Sequence, residues 1–464
     1  MQILPAQTVN DVHSGLNATR VSGVVRPETP EQVAKVVREC AAAGRPLALA
    51  GGRHAMGGQQ FAADALLMDT RGLDRVIGLD AERGLLTIGA GAQWPAIIAA
   101  TRAGDDAGVP AWAIRQKQTG ADEITLGGSI ACNAHGRGLT MAPIADDIER
   151  LSVVTATGER VECSREQNAE LFSLVIGGYG LFGVVVEATL RLCPRRKMRR
   201  LVDIIDVDDA LNAVYRRVAE GCVYGDFQYA IDPSDDSFLR RGVFACYKPV
   251  EEGEVSDDGA DLPREQWLTL LDLAHRDKYK AFSLYARHYL ETHGRVYWAD
   301  TMQLSTYIPT YAEYLAQAGR GGPESLMIGE HYVPPERLAD FLRAARGVLR
   351  THEVEDIYGT IRAIRPDTTS FLAWASSAFA CVIFNLRTAH SPEGLARSAA
   401  AFRGLIDAAA DLGGSYFLTY HTWASMEQVL RCYPRFGEFL AKKLEYDPGE
   451  VFQSEWYRHY RGLM

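Results

Sequence analysis

One stretch constrains the chain more than any other: Leu47-Ala48-Leu49-Ala50-Gly51-Gly52-Arg53-His54-Ala55-Met56-Gly57-Gly58-Gln59-Gln60. A short apolar run, read as a buried strand, ends in paired glycines. An arginine, a histidine and two more glycines follow. Glycine lets the backbone turn sharply and approach a ligand without a Cβ in the way. Successive N–H groups in such a loop form an anion-binding concavity. A strand feeding a loop of this kind predicts a phosphate-bearing cofactor at the carboxyl end of an α/β sheet. His54 adds a nucleophilic ring beside it.

The rest of the sequence narrows the class. At 464 residues the chain can hold two or three domains. Its net charge of −10 favours neither nucleic acid nor an anionic membrane. The eight cysteines are scattered without a CxxC pair, which predicts reduced thiols rather than a disulfide framework. The stretch from Met1 to Thr8 has no basic region or apolar core of a signal peptide. No apolar run is long enough to span a bilayer. A cytoplasmic protein is the expectation.

Thr29 is placed to cap a helix, with Pro30 in its first turn and Gln32 closing a capping box. Val33, Val36, Val37 and Cys40 share one face of that helix, and Gly44 ends it. Short strands follow at 65–69, 76–79 and 85–89, then a helix at 93–102 with Ile97 and Ile98 inward. A second glycine cluster lies in Thr125-Leu126-Gly127-Gly128-Ser129-Ile130-Ala131-Cys132-Asn133-Ala134-His135-Gly136-Arg137-Gly138. A hairpin at 151–156 and 160–163, turned by Thr157-Gly158, precedes a third cluster at 177–183. Residues 194–200 form a basic segment, read as a solvated linker or sheet edge. From about residue 200, helices at 208–220 and 335–350 alternate with strands at 227–231 and 380–387, and 251–261 reads as an acidic surface loop. This second texture predicts an α+β domain whose helices cover one face of a sheet.

The three glycine clusters, in this order and with these neighbours, resemble the vanillyl-alcohol-oxidase-type, or PCMH-type, FAD-binding family. Arg53-His54-Ala55-Met56-Gly57-Gly58-Gln59 is similar to its pyrophosphate loop, with Ala55 where serine is usual. Thr125-Leu126-Gly127-Gly128-Ser129 is similar to its second phosphate and ring loop. Gly177-Gly178-Tyr179-Gly180-Leu181-Phe182-Gly183-Val184-Val185 is similar to its closing strand. The tail Tyr446-Asp447-Pro448-Gly449-Glu450-Val451-Phe452-Gln453-Ser454 resembles the segment that packs back on the FAD domain. Cys132-Asn133-Ala134-His135-Gly136 is nearest to aldonolactone oxidases, alditol oxidase and decaprenylphosphoryl-ribose oxidase.

The resemblance implies an α+β protein. Its two-subdomain FAD domain would span 1–195. An α+β substrate domain, an antiparallel sheet covered by helices, would span 196–435, and a returning segment 436–464. It implies FAD held by Gly51, Gly52, Arg53, His54, Ala55, Met56, Gly57 and Gly58 at the pyrophosphate, with Gln59 beside the ribityl chain and ring. Gly120, Thr125, Leu126, Gly127, Gly128, Cys132, Asn133 and His135 would line the ribityl chain and ring, and Val185 would meet the adenine end. His54 occupies the position that many members join covalently to the flavin. No thiol stands before Gly127 for a second bond.

Oxidising a CH–OH group needs a hydride acceptor and a proton acceptor. The candidates for the second task, or for holding an oxyanion, are His135, Tyr420, His421, Glu330 and Arg362. Residues 417–423 read as a strand entering a loop, whose alternation puts Tyr420 and His421 on opposite faces. Cys132 and His135 lack a second ligand pair, so no metal site is expected. Trp94, Trp112, Trp267, Trp298 and Trp374 read as core or cavity walls. The expected activity is FAD-dependent oxidation of a small polyol, sugar or lactone-like donor, with oxygen or another acceptor taking the electrons. A homodimer is compatible with it. Oxidation of a C–N bond or of a phenolic substrate on the same scaffold, or flavin binding without catalysis, stays open.

Overall fold

The computed structural model describes residues 2–102, 112–118, 120–251, 254, 262–304, 311, 314–315, 318 and 322–463. Most of the predicted acidic loop at 251–261 lies outside them.

The first sheet orders its strands Ile3–Leu4, Gly23–Val25, Leu66–Asp69 and Leu47–Ala50; the last three run parallel. The helix Pro30–Ala42 packs Val33, Val36, Val37 and Cys40 into its core. Thr29 Oγ1 accepts the Gln32 N–H at 3.3 Å, but the Gln32 amide returns to the Glu28 N–H instead of closing the expected box. The strand Leu47–Ala50 delivers the first glycine loop at its carboxyl end, as parallel α/β connections do.

A second, antiparallel sheet holds Arg160–Ser164, Ile148–Val154, Val184–Pro194, Leu85–Gly89 and Val76–Asp80 in that order. The second glycine cluster opens as the short helix Leu126–Ala131, and the third lies between the helix Ala169–Val175 and the strand Val184–Pro194. Each of the three clusters holds one non-glycine residue in the left-handed region: Arg53 (φ 62°), Asn133 (φ 51°) and Tyr179 (φ 53°). Such strain collects where surrounding structure over-determines a loop.

The third sheet is antiparallel and eight-stranded. Its order is Val296–Trp298, Lys197–Asp206, Arg241–Pro249, Tyr224–Tyr229, Asp356–Ile364, Phe379–Ala389, Glu324–Val333 and Ser415–Tyr416. The helices Leu338–Thr351 and Pro392–Asp411 cover one face, where Phe341 and Phe402 meet His331. The predicted single helical layer is incomplete. The helices Arg264–Arg276 and Lys278–Glu291 stand over the other face and leave a cavity beneath them.

The basic segment is not a solvated linker. Arg195 is buried on Asp300 at 2.8 Å with its guanidinium over Trp298, and Arg200 donates to Tyr247 Oη and Thr292 Oγ1 at 3.0 Å. Ion pair, hydroxyls and aromatic faces together replace the water these cations would otherwise need.

The carboxyl-terminal segment returns to the first sheet. Phe452 bridges to Leu47, whose N–H donates to Val451 O at 2.7 Å. Trp456, fully buried, stacks on Tyr179 of the third glycine cluster at 4.6 Å between ring centres. All eight cysteines are free. Among the described residues no helix is long and apolar enough to cross a membrane.

Candidate active site

The three glycine clusters converge on one cavity of about 220 Å³. Its walls hold Leu49 and Val185 from the sheets, then Gly51, Gly52, Arg53, His54, Ala55 and Gln59. They continue through Gly120, Thr125, Gly127, Gly128, Cys132 and His135 to Glu330, Arg362 and Tyr420. A second cavity, of about 370 Å³, lies between the eight-stranded sheet and the paired helices. Gly120, Ile328, Glu330, Arg362 and Tyr420 line both, so they mark the junction.

The sequence expectation is met unevenly. Met56, Gly57, Gly58, Leu126 and Asn133, expected on the cofactor, do not line either cavity. The Gly57 N–H is taken by Thr419 O at 3.1 Å, so it cannot serve an anion. Met56 and Leu126 are buried in the core. Asn133 Nδ2 donates to Asp367 Oδ2 at 2.7 Å and its carbonyl accepts from Trp374 Nε1 at 2.9 Å, tying the second loop to the substrate-side domain.

Residues 417–423 do not continue the strand. The Phe417 N–H still donates to Glu330 O at 3.0 Å, and beyond it the carbonyls are diverted: Leu418 O accepts from Trp456 Nε1, and Thr419 O accepts from Gln59 Nε2 at 2.8 Å and from the Gly57 N–H. These bonds staple the first glycine loop to the turn that carries Tyr420. His421, expected as a candidate base, turns away from both cavities and packs on Phe402 and Trp423.

At the junction the polar groups are tightly organised. Glu330 Oε2 accepts from Tyr332 Oη and hydrogen-bonds His135 Nε2, both at 2.8 Å; Tyr420 Oη donates to Oε1, also at 2.8 Å. Burial alone would push the Glu330 carboxyl up. His135, Arg362 and Tyr420 outweigh it and hold the acid down to about 2, so it is ionised. Burial, and then the charge on Glu330, push the Tyr420 hydroxyl well above its ordinary value and keep its proton on. Burial and Glu330 likewise push the Cys132 thiol up to about 12.

Cys381 Sγ lies 3.7 Å from Glu330 Oε2 and 3.8 Å from His135 Nε2. These three side chains are the one metal-like grouping among the described residues. Burial and Glu330 hold that thiol well above its ordinary value, and Glu330 Oε2 already serves two partners. The three side chains are joined here by hydrogen-bond contacts.

His54 Nδ1 lies 2.8 Å from His13 Nε2. Burial lowers His54 to about 3, with His13 adding to the effect, and lowers His13 to about 4. Both rings are neutral at physiological pH, so one N–H is shared between them. His13 had no signal in the sequence. Tyr332 has one: it stands two residues from Glu330 on the same strand face.

The cavity fits an FAD. Arg53 Nε is buried on its wall without a hydrogen-bond partner among the described residues, as is Arg362 Nε at the junction. An orphaned guanidinium N–H costs free energy unless an acceptor arrives, and phosphate and flavin carbonyl oxygens are acceptors. A Cβ added to Gly120 would meet nothing within 4 Å, so that wall is open towards both cavities.

Comparison with known proteins agrees. Residues 21–164 match the FAD binding domain family. An uncharacterized oxidoreductase, ORF5 of the fasciation locus of Rhodococcoides fascians, is 36% identical over 169 residues, 36% of this chain and 37% of that protein. Cytokinin dehydrogenase 7 of Oryza sativa subsp. japonica is 29% identical over 207 residues, 42% of this chain and 37% of its own. Cytokinin dehydrogenase 2 of the same plant is 28% identical over 237 residues, 47% and 41%. The chain thus matches 37–41% of the length of these relatives. Three glycine loops on one cavity and these likenesses agree on an FAD-binding domain of the PCMH type over residues 21–164.

Proposed function

We propose that the chain is an FAD-dependent oxidoreductase that oxidises a CH–OH group of a small hydroxylated donor. The observation that carries this reading is Glu330, an ionised carboxylate at the junction of the cofactor cavity and the second cavity. Bound in the first cavity, FAD would supply the hydride acceptor. Arg53 and the backbone of Gly51 and Gly52 would hold its phosphates, and Val185 would meet its adenine end. The chain's own residues handle the proton. Glu330, with His135 on one oxygen and Tyr420 on the other, is placed to orient both, and His135 to take the hydroxyl proton of the donor. Arg362, with its Nε unpartnered beside them, is placed to orient the donor.

His54 is the residue we assign to covalent attachment. Its ring is neutral, held by His13 and by the Glu123 carbonyl, and neutral imidazole is the nucleophilic form. The runner-up reading is C–N oxidation, favoured by the two relatives named cytokinin dehydrogenases. Anaerobic mixing of the yellow holoprotein with a panel of alcohols and of secondary amines separates the two. Bleaching by alcohols supports the proposal; bleaching by amines alone overturns it.

A further inference from the structure

The second cavity is lined by two guanidiniums that form no ion pair among the described residues. Arg137 lies near the end of the second glycine cluster and lines this cavity; among the described residues its side chain makes no hydrogen bond or ion pair, although the charge of Asp226 acts on it. Arg362 lines it from the sheet, its Nε buried and without a hydrogen-bond partner among the described residues, its charge felt by Glu330. Arg200, the third arginine there, is already satisfied by Tyr247 and Thr292. The charge is local, because the chain as a whole is at −10.

The carboxylates in the same wall offset this charge in part, Asp226 acting on Arg137 and Glu330 on Arg362, without forming an ion pair with either among the described residues. Asp226 is not paired with Arg137; its contact with the Thr360 hydroxyl is long, at 3.5 Å. Glu330 is committed to His135, Tyr332 and Tyr420. A guanidinium left without an acceptor in a partly desolvated cavity is costly, and its fork matches a planar carboxylate. The remaining wall offers hydroxyls and amides, among them Gln228, Tyr289, Thr360 and Asn385, beside the flat faces of Trp267 and Phe282. Such a lining suits a hydroxylated carbon chain or ring with one anionic end.

We infer that the donor is a hydroxylated carboxylic acid of the sugar-acid kind, its carboxylate taken by Arg137 and Arg362. The inference rests on the oxidoreductase reading above and names its substrate class. Two carboxylates already in the wall would repel the second charge of a phosphate ester, so a monoanionic carboxylate is the better match. Asp226 competes with the donor for Arg137. Its removal should therefore tighten binding, an effect that a merely structural aspartate would not produce.

The test titrates yellow holoprotein with D-glucuronate, D-galacturonate, D-gluconate and mandelate, each against its uncharged amide, and with D-glucose 6-phosphate. Perturbation of the flavin absorption is the readout. At least one carboxylate should bind about 10-fold or more tightly than its amide. Arg137→Gln should erase that preference while leaving amide binding in place, and Asp226→Asn should widen it. The inference is overturned if no carboxylate outbinds its amide, if the preference survives in both Arg137→Gln and Arg362→Gln, or if the phosphate ester binds best. A protein without flavin would instead contradict the family reading, and its spectrum reports that before any titration.

Discussion

Replacing His331 by phenylalanine should make the protein less sensitive to acid. His331 points from the strand Glu324–Val333 into the helix layer, 1% exposed, with ring centres of Phe341 at 5.9 Å, Phe384 at 5.6 Å and Phe402 at 6.3 Å. Neither ring nitrogen has a partner. Burial, with His421 close by, lowers its pKa from 6.5 to about 3. The folded value lies below the unfolded one, so the unfolded chain takes up the proton first as pH falls. Stability contributed by the neutral ring is full above pH 6.5 and is lost progressively down to about 3. At pH 5 the loss is the free energy of about 1.5 pH units, about 2 kcal/mol. His331→Phe removes the proton site and two unsatisfied nitrogens, worth about 1–3 kcal/mol each, against about 1–3 kcal/mol for overpacking. The variant should be at least as stable as the parent at pH 7. Between pH 7 and 5 it should lose about 2 kcal/mol less than the parent. Urea unfolding of the holoprotein at both pH values, followed by circular dichroism, measures this. A variant that loses as much stability as the parent over that interval refutes the linkage.

Other outcomes follow from the site. Glu330→Gln should retain flavin but slow its anaerobic reduction by a donor about 10²–10⁴-fold; an unchanged stopped-flow rate would move the proton acceptor elsewhere. His54→Ala should release all its flavin to the supernatant on acid precipitation, whereas the parent keeps it in the pellet; free flavin from the parent would remove the covalent bond and leave the cavity intact. In Gly51→Ala the new Cβ would overlap the Thr125 hydroxyl, which caps the Gly128 N–H at 3.2 Å. Losing that cap costs about 1 kcal/mol, so both melting temperature and flavin content should fall, and wild-type flavin content would show that the loop can shift. In the His54→Ala background, Arg53→Leu should weaken FAD binding about 10-fold or more, read by fluorescence titration.

Glycine loops were legible because backbone conformation and close approach restrict residue choice locally; Gly51 and Gly127 pack against Thr125 and Ala90 for that reason. The hairpin and the helix at Pro30–Ala42 were legible from period and caps. The Glu330 cluster was visible only as candidates. Its members come from positions 135, 330, 332, 362, 381 and 420, and only the sheet register, with Tyr332 opposite Cys381 and Arg362 beside it, brings them together. Of Tyr420 and His421, which alternation puts on opposite sides, only Tyr420 lines the cavities, and the sequence alone does not say which of the two faces them. His13, Arg137 and Asp226 carry no local pattern at all; their roles arise from long-range packing.

The central claim is that the glycine-lined cavity holds FAD, one per chain. The direct measurement is the visible spectrum and cofactor content of the purified protein, with mass spectrometry of the released or peptide-bound cofactor. The account predicts stoichiometric FAD, with loss of occupancy in Arg53→Leu combined with His54→Ala. A colourless protein that takes up no added FAD would contradict it.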